Sequence, residues 1–282
     1  MSKIKIICDS LCDLEKEELE KYDIECVPLT VILNDKEYRD GIDISKDEYY
    51  KILRESDVHP KTSQATYAQF DEVFRKYVAE GKDVLYIAAS SAATGTYQSS
   101  VMAKNDIDGN ITVFDSMQVC YGITEFIMKA VEMRDNGNSV EEIIEELENL
   151  REKISVIFYV DTLDFLRRGG RISSTKAAIG SILNIKPILY VKDGLVSQLG
   201  QVRGKKALVS KMTEILADEC GTDLSNQTVY LGYSDNEAER DKLAEAIRKD
   251  FNPGDIKFFK IGTGIVTHSG PGVAGIISLK NK

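Results

Sequence analysis

The sequence predicts an α/β protein of two α/β domains. An N-terminal domain over residues 1–160 has a mainly parallel sheet with helices on both faces, and a C-terminal domain over residues 161–282 has a mixed sheet with helices. Three observations predict this. Short runs of β-forming residues alternate with segments of helical period along nearly the whole chain, the pattern of strands joined by right-handed helical crossovers. The early runs are apolar without clean alternation, as in strands covered on both faces. The 282 residues, 43% of them hydrophobic, exceed one ordinary domain and can bury a full core.

Residues 3–8 read as the first strand, followed by the polar turn Asp9-Ser10-Leu11-Cys12-Asp13 and a charged helix over 14–22. Residues 24–33 read as a second extended run, folding back through an Asn34-Asp35 turn as a short hairpin to Tyr38. Ser45 and Glu48 form a capping-box pattern that opens a helix over 45–55. Tyr67, Phe70, Val73, Phe74 and Tyr77 form the apolar face of the next helix. Val84, Leu85 and Ile87 belong to a buried strand that empties into the hydroxyl-rich turn 90–96 and then a helix. A strand over 111–114, a helix over 119–134, a helix capped by Ser139 and a strand over 154–160 complete the first alternation.

At 162–172 the pattern changes to a short helix with three arginines and the pair Gly169-Gly170, a left-handed cap. Residues 183–192 and 195–203 read as antiparallel strands around Asp193-Gly194. A helix over 205–220, a strand over 229–233, a helix over 237–249 and a strand over 256–261 follow. Residues 262–275 read as a glycine-rich loop that carries His268 before a last strand over 276–279.

Two hydroxyl-rich turns stand before helices, and both suit an anion. Unpaired N–H groups and the positive end of the helix dipole face such a turn, and Ser or Thr hydroxyls add neutral donors. In the turn 90–96 the stretch from Ser90 to Thr96 supplies the hydroxyls and a flexible joint at Gly95; in the turn 59–65, Thr62 or Ser63 would cap the following helix with its remaining valences facing outward. An ordinary helix cap is the competing reading of each. Asp9, Ser90, Ser91 and Asp115 each fall just beyond a strand, where parallel sheets bind ligands. Arg171 lies past the glycine cap, so no helix end accounts for it, and His268 can approach a ligand among its glycines.

Composition excludes several classes. A net charge of −10 argues against standing partnership with nucleic acid or an anionic membrane, and no apolar run or leader of the required kind is present, so a cytoplasmic protein is expected. Five scattered cysteines and two histidines give no metal-site spacing, so neither a disulfide framework nor a metal is expected. Gly270-Pro-Gly-Val-Ala-Gly275 matches a dinucleotide fingerprint in letters only, because it leads into a strand. Neither a P-loop nor a G-x-S-x-G elbow occurs. No cofactor is expected.

Together these stretches resemble the DegV family, the fatty-acid-binding subunits of bacterial fatty acid kinase. The resemblance rests on Asp9-Ser10 with Asp13-Leu14, Lys61-Thr-Ser-Gln64, Ser90-Ser91 with Gly95-Thr-Tyr-Gln-Ser99, Asp115-Ser116, residues 165–172 and 183–189, and His268-Ser-Gly-Pro-Gly272. It implies one long-chain fatty acid in an internal apolar tunnel, its carboxylate held between the domains, presented to a separate ATP-dependent kinase that makes an acyl phosphate for phospholipid synthesis. It further implies that this chain is not itself an enzyme and exchanges lipid transiently with membranes. By the same resemblance Thr62 and Thr94 would hold the carboxylate, with Ser63, Ser91 and Gly95 nearby. His268 and Arg171 would orient the head group or face the kinase. Apart from the resemblance, Arg203, Lys205 and Lys206 offer a secondary contact for the kinase, with a solvated helix start as the competing reading. The chain departs from the family pattern at Ala65-Thr66, Ala93, Cys120 and Thr124, which leaves the head-group chemistry and puts the acyl preference in doubt.

Two other readings stay open on the residues alone. One is an acyl hydrolase or transferase with Ser91 or Thr94 as nucleophile, His268 as base and Asp115 as orienter, turning over without ATP. The other is a binding module for a different small anion, which would carry no long-chain lipid.

Overall fold

The computed structural model describes residues 3–172 and 185–281; residues 183 and 184 of the expected strand lie outside them. Strand β1 (Ile4–Asp9) leads through a 3₁₀ turn to α1 (Lys16–Lys21) and β2 (Ile24–Val27), and a hairpin of β3 (Thr30–Leu33) and β4 (Lys36–Arg39) follows. Asn34 and Asp35 both take positive φ, 49° and 64°, as the two-residue hairpin turn requires. Next come α2 (Lys46–Glu55), β5 (Lys61–Ser63), α3 (Tyr67–Ala79), β6 (Asp83–Ala88), α4 (Thr96–Asn105) and β7 (Ile111–Asp115). Helices α5 (Tyr121–Asp135) and α6 (Val140–Arg151), strand β8 (Ile154–Tyr159) and α7 (Asp164–Gly169) continue the chain. After β9 (Ile185–Lys192) and β10 (Leu195–Arg203) come α8 (Leu208–Cys220), β11 (Thr228–Tyr233), α9 (Glu237–Asp250), β12 (Asp255–Lys260), α10 (Thr263–Ser269) and β13 (Ala274–Leu279).

Among the described residues the strands form three sheets. The first, in order β2-β1-β6-β7, is wholly parallel. The second, β10-β9-β8-β13-β11-β12, is mixed, with only β11 and β12 parallel. Helices α3 and α4 pack on the first sheet, α8 and α9 on one face of the second, and α5 touches β1, β6 and β8, so it lies between the two sheets. That position explains its many buried residues, from Tyr121 to Arg134.

Four local expectations are corrected. The run 24–33 is two strands, not one: Pro28 offers no N–H for a ladder, β2 joins the parallel sheet, and β3 starts a small antiparallel sheet with β4 and β5. Strand β8, expected with the first domain, is central in the second sheet. Its neighbours β9 and β13 come later in the chain, and periodicity specifies a strand without specifying its partner. Thr62 and Ser63 lie in β5 and cap nothing; the cap of α3 is Thr66, in a reciprocal capping box with Gln69. His268 stands in the last turn of α10 instead of a loop.

Candidate functional site

Over the second sheet, bounded by α10, by Ala93 and Thr94 of the turn before α4 and by Val119 and Cys120 ahead of α5, lies a cavity enclosing about 940 Å³ of non-atom space, its open mouth included. Its floor is one cross-strand row of the second sheet. In register order across β8, β13, β11 and β12 the row reads Phe158, Gly275, Gly232, Phe259, and all four residues line the cavity. The paired glycines leave no side chains above the middle of the sheet; the Phe259 ring closes in over Gly232, and the Cβ and backbone of Phe158 flank Gly275. A Cβ on Gly232 would stand 2.9 Å from Phe259 Cε2, and one on Gly275 would stand 2.8 Å from Phe158 Cβ. Phe259 is backed by Tyr121, stacked at 4.2 Å between centroids and 20° between planes. Val119, Val156, Ile261 and Ile277 extend the apolar lining.

Four polar lining residues come together: Thr62, Thr94, Arg171 and His268. Each is half-buried and held by a different element. Thr62 alternates with exposed Lys61 and Ser63 along β5, so pairing of β5 with β3 turns its hydroxyl inward. Thr94 closes the turn before α4; its Oγ1 accepts from the Thr96 N–H (3.2 Å), while Gly95 occupies the cap position without a side-chain bond. Gln64 Nε2 donates to Ser99 Oγ (2.8 Å), and the Ala65 N–H donates to Thr96 Oγ1 (3.3 Å). These two bonds tie the Thr62 strand to the Thr94 turn. A Cβ on Gly95 would push aside the Gln64 carboxamide that bonds Ser99.

Helix α10 carries His268 and is anchored by buried Asp40. That carboxylate accepts from the Gly264 N–H (3.1 Å), the Thr263 hydroxyl and the Ser10 hydroxyl (2.7 Å), and Tyr49 bonds Thr267 at 2.5 Å. His268 Nε2 lies 2.8 Å from Thr62 Oγ1. Its other face packs on Gly169 so closely that a Cβ there would overlap Nδ1. Burial, reinforced by the nearby Arg171 charge, pushes the imidazole down to about 4, so it is neutral at pH 7. Arg171 bridges two segments, donating through Nε to Ala93 O (3.0 Å) and through Nη1 to Gly169 O.

Ser63 and Ser91 are exposed and outside the cavity lining, and Gly95 lies beside it. Asp115 Oδ1 accepts from the backbone N–H groups of Ser91 (3.2 Å) and Met117 (3.0 Å). His268 bonds Thr62, so the Ser-His-Asp relay that a hydrolase needs is not assembled among the described residues. Asp9 is consumed structurally, accepting from Tyr86, Ala89 and Leu11. Lys205 is committed to Asp161 at 2.7 Å. The sequence reading missed the glycine and phenylalanine floor. Its signal was a glycine within each of two apolar strand segments, which marks close approach of another group.

One buried group flanks this cavity. Cys120, on the cavity wall, donates to Asp13 Oδ2 (2.8 Å), while Asp13 Oδ1 has no partner among the described residues. Burial pushes the Asp13 carboxyl up to about 8 against the opposing pull of Lys46, so it holds a proton at pH 7. Its folded value is raised, so its stabilising contribution is full below about pH 4 and is lost as pH rises to 8. Asp13 also sits at φ 64°, a conformation that asparagine tolerates. Asp13→Asn is therefore expected to raise the melting temperature at pH 8.5 and to change it little at pH 4.5. Thermal melts at both pH values check this, and an equal shift at the two would refute the assignment.

The architecture has solved counterparts. A Thermus thermophilus protein described as a fatty-acid-binding DegV family protein superposes with TM-score 0.90 at 31% identity, over 99% of this chain and 100% of that one. DegV of Bacillus subtilis, described as a fatty acid binding protein, gives TM-score 0.87 at 30% identity, over 100% of both chains. A stearic-acid-binding protein from Eubacterium ventriosum gives TM-score 0.87 at 30% identity, over 98% of both. In sequence, a DegV domain-containing protein of Caldanaerobacter subterraneus is 38% identical over 277 residues, 98% of either chain. The family model described as "Uncharacterised protein, DegV family" matches residues 3–281. By that match, and by a relative so similar along its whole length, this chain belongs to the DegV family.

Proposed function

We propose that this protein binds one long-chain fatty acid, with the tail in the apolar cavity and the carboxylate at Thr62 and Thr94. It would then present the acid to a separate ATP-dependent kinase. The observation that carries this reading is a mostly apolar cavity at which Thr62, Thr94, Arg171 and His268 meet, the other polar lining groups, Ser269 and Cys120, being spent on the Ile265 and Gly270 carbonyls and on Asp13. Burying ten methylenes contributes roughly 8 kcal/mol as an upper figure, whereas each hydrogen bond to a carboxylate contributes about 1.5 to 3 kcal/mol. The tail supplies affinity and the hydroxyls supply orientation.

Neutral donors suit the chemistry. A neutral His268 that donates Nε2–H to Thr62 Oγ1 leaves the Thr62 proton for the carboxylate. The carboxylate then keeps the electron density it needs to attack the γ-phosphorus of ATP on the kinase, with ADP leaving and an acyl phosphate formed. This chain supplies binding and orientation, and the partner supplies the nucleotide. No helix among the described residues is long and apolar enough to cross a membrane, so lipid exchange would occur by transient contact with a bilayer surface.

The test is an organic extract of protein purified without added lipid, analysed by mass spectrometry. The expected result is close to one fatty acid per chain. An empty extract, together with no binding of added oleate or palmitate, would overturn the reading.

A further inference from the structure

Three of the five cysteines, Cys8, Cys12 and Cys26, gather at one end of the first sheet, and the proposed function does not use them. Cys8 in β1 and Cys26 in β2 stand in register across a parallel pair, so their side chains leave the same face. Cys12 ends the 3₁₀ turn after β1 and folds back, its Sγ 3.6 Å from Cys8 Sγ. The Cys12 and Cys8 thiols both donate to Cys26, which draws the Cys26 thiol below its ordinary range and raises the other two. Cys8 and Cys12 are buried, whereas Cys26 is partly exposed on β2, an edge strand of its sheet. A single buried cysteine is ordinarily a small apolar filler. One acidic, reachable thiol beside two buried ones is the arrangement that reacts with a peroxide and then closes a disulfide.

Both ends of the trio adjoin the cavity. Leu11, next to Cys12, and Leu29, three residues after Cys26, line it. Between them the Ser10 hydroxyl accepts the Leu29 N–H (3.1 Å) and donates to Asp40 (2.7 Å), the carboxylate that anchors α10 and His268. We propose that hydrogen peroxide closes a reversible disulfide between Cys26 and Cys12, and that this bond pulls the turn 10–12 toward β2, opens the Ser10 clamp and lowers the cavity's affinity for its ligand. In the first step the Cys26 thiolate sulfur attacks the peroxide O–O bond; an S–O bond forms, hydroxide leaves, and the sulfur is oxidised to a sulfenic acid. The Cys12 sulfur then attacks the sulfenic sulfur; the S–S bond forms, the S–O bond breaks, and water leaves with the Cys12 proton. In sum, two thiols and one hydrogen peroxide become one disulfide and two waters. Hydrogen-bonded thiols must close to about 2.05 Å to bond, and a packed interior passes that movement to its neighbours. The effect on the cavity rests on the fatty-acid reading above; the disulfide does not.

Hydrogen peroxide treatment of the native, lipid-free protein, followed by alkylation, digestion and mass spectrometry, tests the bond. The expected product is a Cys12–Cys26 cross-link that dithiothreitol reverses. Cys8→Ala should keep it, and Cys12→Ala should lose it and leave Cys26 to pass on to the sulfinic acid. Palmitate affinity, measured by calorimetry before oxidation, after it and after reduction, is expected to fall about tenfold and then recover, the cost of one lost hydrogen bond. In Cys26→Ala, a partly exposed position outside the cavity lining, peroxide should leave that affinity unchanged. No cross-link, or one between any other pair, would overturn the proposal, and so would a Cys12–Cys26 cross-link that leaves palmitate affinity unchanged. Absence of palmitate binding by the reduced protein would count against the fatty-acid reading alone, because the mass measurement reports the disulfide without a ligand.

Discussion

Gly232→Val is expected to lower fatty-acid affinity by about 100-fold. The first added atom, Cβ, already stands 2.9 Å from Phe259 Cε2, closer than real contacts allow, and 3.0 Å from Cε1. The ring cannot retreat away from the cavity, because Tyr121 is stacked behind it at 4.2 Å. It must turn into the cavity, where the second and third carbons of valine join it. Displacing three to four methylenes of the tail at ~0.8 kcal/mol each costs about 3 kcal/mol, which is about 100-fold.

Overpacking also lowers stability, by about 1–3 kcal/mol, so melting temperature must be measured beside affinity. The double variant Gly232→Val with Phe259→Leu separates the two effects. The smaller side chain returns volume to the same spot, and most of the affinity should come back. Unchanged affinity in the single variant would show that the tail does not cross this row.

The element pattern was legible in the sequence because each signal was local. Short apolar β-forming runs, Ser45 and Ser139 as caps, and the Asn34-Asp35 and Asp193-Gly194 turns depend on residues within a few positions of one another. Pairing depends on partners far along the chain, and there the reading failed: β8 looks like any buried strand, and only its ladder with β13 assigns it to the second sheet. The same limit shows at the site. Thr62 and Thr94 stood in hydroxyl-rich turns, Arg171 beyond a glycine cap and His268 among glycines; the family resemblance joined the four into one set, and the fold brings all four to one cavity. Ser63 differs from Thr62 by one position, and the two-residue period of a strand turns it to the other face; reading the segment as a cap hid that period. The cavity floor was illegible for another reason. Gly232 and Gly275 mean little apart and much as a cross-strand pair.

Thr62→Val should weaken fatty-acid binding by about tenfold to a hundredfold, the loss of one hydrogen bond to a charged group, with the tail cavity unchanged because valine matches threonine in shape. The same hydroxyl partners His268 Nε2, so the substitution also tests what charge the imidazole carries. A protonated His268 would attract the carboxylate directly, and affinity would then fall as pH rises through the ordinary histidine range near 6.5. Burial and Arg171 instead hold the imidazole down at about 4, so affinity should be flat from pH 6 to 8. Stability carries the complementary signature. Between about pH 6.5 and 4 the unfolded chain takes up a proton that folded His268 refuses, so its contribution is complete above pH 6.5 and is lost as pH falls toward 4. His268→Asn should remove that part of the acid limb in thermal melts while Thr62→Val leaves it in place. An affinity that titrates near pH 6.5 in the parent and turns flat in His268→Asn would reverse the assignment. The head group would then be held by charge, and the neutral-donor route to a reactive carboxylate would be lost.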